Sequence, residues 1–118
     1  MAIQNYSDNI IIVDLPAEPN IRVELENLRG VLQTCADSDV IIDFSQVDII
    51  TSLSLSGFLM VRELLAKAGR RLVFCNISPI TRDIFTVTCF DGIFEFIDDK
   101  DHAVQALTNP QPCEQPTE

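Results

Sequence analysis

The sequence is poor in the residues from which most metal and redox sites are built. It contains a single histidine, His102, and four cysteines without any C-x-x-C pair, at positions Cys35, Cys75, Cys89 and Cys113. A zinc site normally gathers four Cys or His ligands, often at short and regular spacings. Three of the cysteines stand in apolar or helical surroundings and are predicted to be small core residues. We therefore expect neither a metal nor a cofactor.

Long apolar runs and positive charge are also scarce. The start of the sequence has no basic segment followed by a long apolar run, and Ile10 to Val13 is far too short to span a membrane. Eight Lys and Arg face 18 Asp and Glu, a net charge of −10, which repels nucleic acid and anionic membranes. We expect a cytoplasmic protein without membrane insertion or nucleic-acid binding, whose partner is a protein with a basic patch.

What the chain does contain is an alternation of strands and helices. Its 118 residues, 47% of them hydrophobic, suffice for one domain with a real core. The patterning predicts strands at 3–6, 10–13, 71–76 and 93–97 and a buried strand that begins at 40–42. It predicts helices at 21–35, at 52–68, from 79 to about 89 with Ser78 as N-cap, and from 98 or 99 to 107. In the first helix the buried position is either Val23 or Leu25. This order predicts an α/β sandwich with a mixed sheet of four to five strands and about four helices, joined by right-handed crossovers. Residues 1–108 form the predicted domain, and 109–118, with three prolines, a disordered acidic tail.

The segment from Val40 to Gly69 carries the most concentrated polar chemistry. A buried strand leads into a hydroxyl-rich turn at Thr51 to Ser56, where a helix is predicted to begin. Hydroxyls at a helix start cap free N–H groups, and the same N–H groups and the helix dipole favour a phosphate. The turn is therefore a candidate phosphorylation switch.

A helical projection of 52–68 leaves one narrow polar strip on a mostly apolar circumference. The strip contains Ser52, Ser56, Met60, Glu63 and Lys67, and the last two are spaced for a weak surface ion pair. Arg62 interrupts the apolar arc, so either its stem packs with its head in water or burial there is incomplete. The simpler interpretation of the strip is capping hydroxyls and a solvated face. The functional interpretation is a docking surface with Met60 at its centre, from which a phosphate on Ser52 would repel a partner.

These segments resemble the STAS domain of bacterial anti-sigma factor antagonists. The family signature is a strand that ends in an Asp-Leu-Ser-like step, then Asp-Ser-Ser/Thr-Gly-Leu-Gly at a helix start. Residues 43–47 (Asp-Phe-Ser-Gln-Val) match the first part and 51–56 (Thr-Ser-Leu-Ser-Leu-Ser) occupy the second. Residues 69–79 resemble the family's Gly-Gly…Cys-x-Ile-Ser-Pro stretch. The expected helix-to-strand pattern continues through Phe85, Thr88, Phe90, Ile93, Phe94 and Phe96. The likeness covers residues 40–107 well and 3–35 in outline.

The resemblance implies a phosphorylation switch at Ser52, with Thr51 as the alternative acceptor. In that family the unphosphorylated form binds a serine kinase that is also an anti-sigma factor and so frees the sigma factor, whereas the phosphorylated form lets go. The residues expected to contact such a partner are Thr51, Ser52, Ser54, Ser56, Met60, Glu63 and Lys67.

The sequence also departs from the family pattern. Thr51 replaces an aspartate, Leu53 a small residue, and Ser54 and Ser56 two glycines, while 15–18 replace an acidic turn. Losing the aspartate weakens recognition by a kinase, and losing glycine changes how closely a partner approaches the backbone. These departures leave open a second function: a STAS scaffold, or a small subunit of a larger assembly, that docks through the same helix without phosphorylation.

An enzymatic function finds little support in the sequence. No Ser or Cys has an evident histidine partner, and His102 is predicted to be a solvated residue of the last helix. Asp43 and Asp48 flank a strand end, where carboxylates can bind metal, but without a third ligand they are predicted to be turn or capping residues. We therefore expect a protein that is not an enzyme.

Overall fold

The computed structural model describes residues 3–7, 9–17, 20–34, 38–47, 49–88 and 92–108. Five strands and four helices alternate along it after an initial hairpin. They are β1 (Ile3–Ser7), β2 (Ile10–Asp14), α1 (Ile21–Thr34), β3 (Asp39–Asp43), α2 (Ser52–Lys67), β4 (Leu72–Cys75), α3 (Pro79–Val87), β5 (Glu95–Ile97) and α4 (Lys100–Thr108). The predicted α/β architecture with a mixed sheet is therefore confirmed. The predicted tail, 109–118, lies outside the described residues, as do Cys35, Asp48, Cys89 and Phe90.

The sheet has the order β1-β2-β3-β4-β5, with β1 antiparallel to β2 and every other pair parallel. In its register Asp14 lies opposite Asp43, and Asp43 lies opposite Cys75. The carboxyl ends of β2, β3 and β4 therefore meet at one edge of the sheet. In parallel sheets this edge is where functional side chains usually collect.

Both faces of the central strands are covered, which explains their continuous apolar sequences. On one face α1, α2 and α3 pack over the larger core, and on the other α4 packs through Ala103 and Leu107. Phe58 of α2 is fully buried, and its ring centroid lies 5.3 Å from that of Phe74 on β4 and 5.5 Å from that of Phe44. These ring contacts fix α2 against the sheet.

Several element boundaries differ from the predicted ones for local reasons. α1 buries Leu25 and leaves Val23 61% exposed, which settles that alternative. Helix α3 begins as predicted, since the Ser78 hydroxyl accepts from the N–H of Thr81, but it ends at Val87. Strand β5 begins at Glu95 rather than at 93. No helix in the described part of the chain is both long and apolar enough to cross a membrane.

Candidate functional site

Helix α2 begins at the carboxyl edge of the sheet, next to the end of β3. Thr51 is its N-cap, with extended backbone angles, and its Oγ1 accepts a hydrogen bond from the N–H of Ser54 at 3.3 Å. The Thr51 hydroxyl also lies 3.4 Å from the Ser54 hydroxyl, to which it donates. Thr51 therefore has a structural role, because it satisfies one of the free N–H groups at the helix start.

Ser52 differs from its neighbours because its side chain is exposed and makes no hydrogen bond to another described residue. It is the first residue of α2, so a group attached to its hydroxyl would stand beside the free N–H groups and the positive end of the helix dipole. The first turn of α2 contains no acidic side chain that would repel an anion. The geometry leaves Ser52 accessible and electrostatically suited to a phosphate.

Ser54 is the one predicted partner-contact residue that the structure does not expose. Its side chain is 1% exposed and turns towards Thr51 and the core. The expectation that Ser54 lies on a docking surface is therefore corrected: it supports the helix start from inside. The reason is helical phase, because Ser54 projects on the same side of α2 as the buried Val61 and Leu65.

The remaining predicted contact residues share one exposed surface, which we call the α2 strip. Its members are Ser52, Ser56, Met60, Glu63 and Lys67, and Thr51 is exposed at its N-terminal end. Met60 is 46% exposed and supplies the apolar centre. The predicted ion pair between Glu63 and Lys67 is absent among the contacts of the described residues. Both charges therefore remain available to solvent or to a partner.

Two exposed apolar side chains close to Ser52 in the sequence were missed by the sequence analysis. Leu53 is 62% exposed and Ile49 is 59% exposed. The signal for Leu53 was available, since at about 100° per residue it projects next to Met60. The two alternatives for Arg62, a packed stem with its head in water or incomplete burial, did not include a hydrogen bond to another part of the chain. In the structure the Nε of Arg62 donates to the carbonyl of Ile93 at 3.1 Å, which connects α2 to the segment before β5. The exposed surface is thus more apolar than predicted.

A second polar group at the same edge of the sheet, which we call the Lys100 cluster, consists of Asp14, Asp43, Ser45, Asn76 and Lys100. The Nζ of Lys100 lies 3.2 Å from Asp14 Oδ1 and 3.3 Å from Asp43 Oδ2. Asp43 Oδ1 accepts from the N–H of Ser45 at 2.9 Å and from Asn76 Nδ2 at 3.1 Å. Asp43 is therefore the turn residue that was predicted, and it also holds three elements together.

The partners of Asp43 set its charge state. Burial acts to raise the pKa of this carboxyl, but hydrogen bonds from the Ser45 N–H, from Asn76 and from Lys100 outweigh it, so the pKa lies below its ordinary value. Burial also opposes the charge of Lys100, while Asp14 and Asp43 raise its pKa. Asp43 and Lys100 are therefore both charged at neutral pH and form an ion pair. No group of Cys, His, Asp and Glu suited to a metal ion occurs in the described part of the chain.

The other candidate reactive groups are also occupied or buried. His102 is an exposed helix residue, as predicted, and its Nδ1 lies 2.8 Å from Asp99 Oδ1, which raises the pKa of the imidazole. Asp99 caps α4 by accepting from the N–H of His102. Cys75 is buried, and burial raises the pKa of its thiol to about 12. Within the described ranges, neither residue forms a nucleophile–base pair.

This architecture, with a helix that opens beside the end of the central strand, defines a small α/β module of the STAS type. A family model for the STAS domain matches residues 7–103, which is most of the chain. The chain belongs to the STAS domain family.

Similar proteins include three that are connected with anti-sigma regulation. BtrV of Bordetella bronchiseptica, assigned as an anti-sigma factor antagonist, is 29% identical over 73 residues; the match takes in 62% of this chain and only 63% of that curated relative. The structure of TM1081 of Thermotoga maritima, assigned to the same class, superposes with a TM-score of 0.78 at 15% identity over 89% of this chain and 92% of that one.

The third is the anti-sigma factor antagonist SpoIIAA. Its unphosphorylated form superposes with a TM-score of 0.72 at 14% identity, covering 91% of this chain and 96% of SpoIIAA. Its phosphorylated form, from Bacillus, superposes with a TM-score of 0.67 at 16% identity, covering 89% and 96%. At these identities the solved structures show a shared fold.

Proposed function

We propose that this protein is an anti-sigma factor antagonist that binds an anti-sigma factor with serine kinase activity and is switched off by phosphorylation of Ser52. The single observation that carries the proposal is the Ser52 hydroxyl, exposed at the start of α2 and at the end of the α2 strip, without a hydrogen bond to any described residue. The likeness to BtrV and to both forms of SpoIIAA supports this class of partner. The protein acts by binding and is not itself an enzyme.

The physical effect of the phosphate follows from its place at the rim of an exposed surface. It adds about −1.5 to −2 charges at neutral pH, within three residues of the exposed apolar side chains of Ile49 and Leu53. In the free protein, water and the helix N-terminus solvate this charge. In a docked complex the charge would lose its water, and without a cationic partner group the desolvation cost breaks the complex.

Ser52 is a better acceptor than Thr51 for a structural reason. The Thr51 hydroxyl caps α2 and contacts Ser54, so a phosphoryl group there would displace the cap. Phosphorylation of Ser52 leaves the cap in place. The switch can therefore act on the interface without unfolding the helix start.

The departures from the family signature differ in their consequences. Ser54 points inward and so does not obstruct a partner that approaches from outside. Ser56 is exposed, so its hydroxyl lies in the path of the partner and narrows the range of partners that fit. Because Ser56 is exposed where the family has glycine, we expect the protein to bind its own partner and not the partners of other family members.

The test compares partner capture by the wild-type protein and by Ser52→Asp, Ser52→Ala and Gln105→Glu, each immobilised and exposed to lysate of the native cells. Bound proteins are identified by mass spectrometry, and the captured kinase is then purified for direct binding. Gln105 is exposed on α4 and contributes nothing to the α2 strip, so Gln105→Glu controls for added negative charge. We expect the wild type, Ser52→Ala and Gln105→Glu to bind the kinase and Ser52→Asp to bind at least about 10-fold more weakly, a loss of about 1.4 kcal/mol.

Equal binding by Ser52→Asp and the wild type would refute the switch. If the captured proteins were instead subunits of a stable assembly, without a kinase and without sensitivity to Ser52→Asp, the protein would be a STAS scaffold that docks constitutively.

A further inference from the structure

A groove runs between α1 and α2, directly beside the α2 strip. It encloses about 150 Å³. Its lining residues are Arg22, Leu25, Glu26 and Arg29 from α1 and Leu53, Ser56, Gly57 and Met60 from α2. Since Ser56 and Met60 belong to both surfaces, the groove extends the α2 strip onto α1.

The groove is apolar along its floor because the two helices approach closely there. A Cβ atom on Gly57 would lie 2.8 Å from Leu25 Cδ1, so glycine permits this approach. Leu25 is buried at the base, while Leu53 and Met60 stand exposed at the α2 wall. Exposed apolar side chains around a concave surface are typical of a binding site for an apolar side chain of another molecule.

The rim of the groove carries the opposite charge from the protein as a whole. Arg22 and Arg29 flank Glu26, a local balance of +1 in a chain of net charge −10. Arg29 has no ion pair with another described residue, and Arg22 lies a loose 3.7 Å from Glu26 at 62% side-chain exposure. By contrast, Arg71 and Lys100 contact carboxylates at 2.6 Å and 3.2 Å. As far as the described residues go, the two rim arginines thus retain N–H donors that no carboxylate occupies.

We propose that this groove is a docking site for a protein segment that inserts an apolar side chain and flanks it with carboxylates. The apolar side chain would lie on Leu25 between Leu53 and Met60, and the carboxylates would accept hydrogen bonds from the rim guanidinium groups. This inference rests on the proposed function in one respect, since it assigns to the same partner a second contact on α1. It specifies only the partner segment that enters the groove as apolar and acidic, whereas the net charge of −10 still favours a basic patch elsewhere on the partner.

The probe is a library of short random peptides selected on the immobilised wild-type protein. Selected peptides are synthesised and titrated into wild-type, Arg22→Gln/Arg29→Gln and Arg82→Gln protein by fluorescence anisotropy, and their site is mapped by ¹H–¹⁵N chemical shifts. Arg82 lies on α3 and does not line the groove, so its variant is the charge control.

We expect peptides that pair Leu, Ile or Phe with Asp or Glu, and shift changes centred on Leu25, Gly57 and Met60. The double variant should bind these peptides about fivefold to tenfold more weakly, because it loses two exposed ion pairs. Binding should also weaken with added salt. The Arg82→Gln variant should bind like the wild type.

The proposal is overturned if no peptide is enriched, if the enriched peptides lack acidic residues, or if the double variant binds them unchanged. A concentration-dependent dimer in analytical ultracentrifugation that is lost in the double variant would instead assign the groove to a second copy. Ser52→Asp leaves every groove residue intact, so its effect on kinase capture tests the proposed function alone, and peptide binding to the double variant tests the groove alone.

Discussion

Two polar regions meet at the carboxyl edge of the sheet, and they differ in whether their polar side chains have hydrogen-bond or ion-pair partners among the described residues. In the Lys100 cluster each described charge has a partner: Lys100 lies between Asp14 and Asp43, and Asp43 also accepts from Ser45 and Asn76. At the start of α2, Ser52 is exposed and makes no hydrogen bond to a described residue.

The comparison separates structural polarity from polarity that is available for function. In the Lys100 cluster the polar side chains are engaged with one another, and these contacts stabilise the native chain. The exposed side chain of Ser52 makes little contribution to stability, so it can be modified or bound without loss of the fold. The predictions below follow this distinction, beginning with the largest expected effect.

Asp43→Ala should destabilise the protein by about 2–3 kcal/mol, because it leaves Lys100, the Ser45 N–H and Asn76 without their shared acceptor. Urea unfolding followed by circular dichroism measures the change. Ser52→Ala, at the same edge of the sheet, is the matched control and should stay within about 0.5 kcal/mol of the wild type. Equal losses for the two variants would contradict the distinction between closed and open regions.

Acid should weaken the closed cluster in particular. The pKa of Asp43 is lower in the folded than in the unfolded chain, so its contribution to stability is complete above the unfolded value of about 3.9 and is lost as the pH falls through the folded value. Urea midpoints measured from pH 6 downwards should therefore fall less steeply for Asp43→Ala than for the wild type. Parallel pH profiles would show that the ionised carboxylate contributes nothing.

Two adjacent hydroxyls should respond differently to removal. Thr51→Ala deletes the N-cap of α2 and should cost about 1 kcal/mol. Thr51→Ser keeps the capping oxygen and serves as its control, with most of the stability retained. A Thr51→Ala variant as stable as the wild type would show that the cap is dispensable, and the structural reason for preferring Ser52 over Thr51 as the phosphate acceptor would then fail.

The smallest expected effect concerns Cys75, which should not react with an alkylating reagent in the native protein. Burial and a pKa of about 12 keep its thiol protonated and inaccessible at pH 8. Peptide mapping after iodoacetamide treatment should find Cys75 unmodified in the native protein and alkylated in denaturant. Rapid native alkylation would mean that β4 and α4 separate readily.

The fold was predictable because its signals are local. Continuous apolar strands, the Ser78-Pro79 helix start and Gly69, which adopts a positive φ of 73° after α2, are readable from neighbouring residues. The family resemblance then identified Ser52 as the residue on which a switch would act. Its accessibility, however, is a property of the folded chain.

The rest of the site depends on contacts between distant parts of the chain. Asp14 and Lys100 are 86 residues apart and meet only because β2, β3 and α4 share one edge of the structure. The same holds for the groove, whose arginines on α1 reach α2 across the close approach at Gly57. Selecting contact residues by their polarity also misplaced Ser54, because helical phase rather than polarity determines which side chains are exposed.

The most direct test of the account is to map phosphate on the protein isolated from its native cells by intact-mass measurement and fragmentation. The account predicts one phosphoryl group, located on Ser52, in a fraction of the molecules that changes with growth or stress. A protein that stays unmodified under all these conditions, or that carries its phosphate on Thr51, would contradict the claim that the open hydroxyl of Ser52 is the switch.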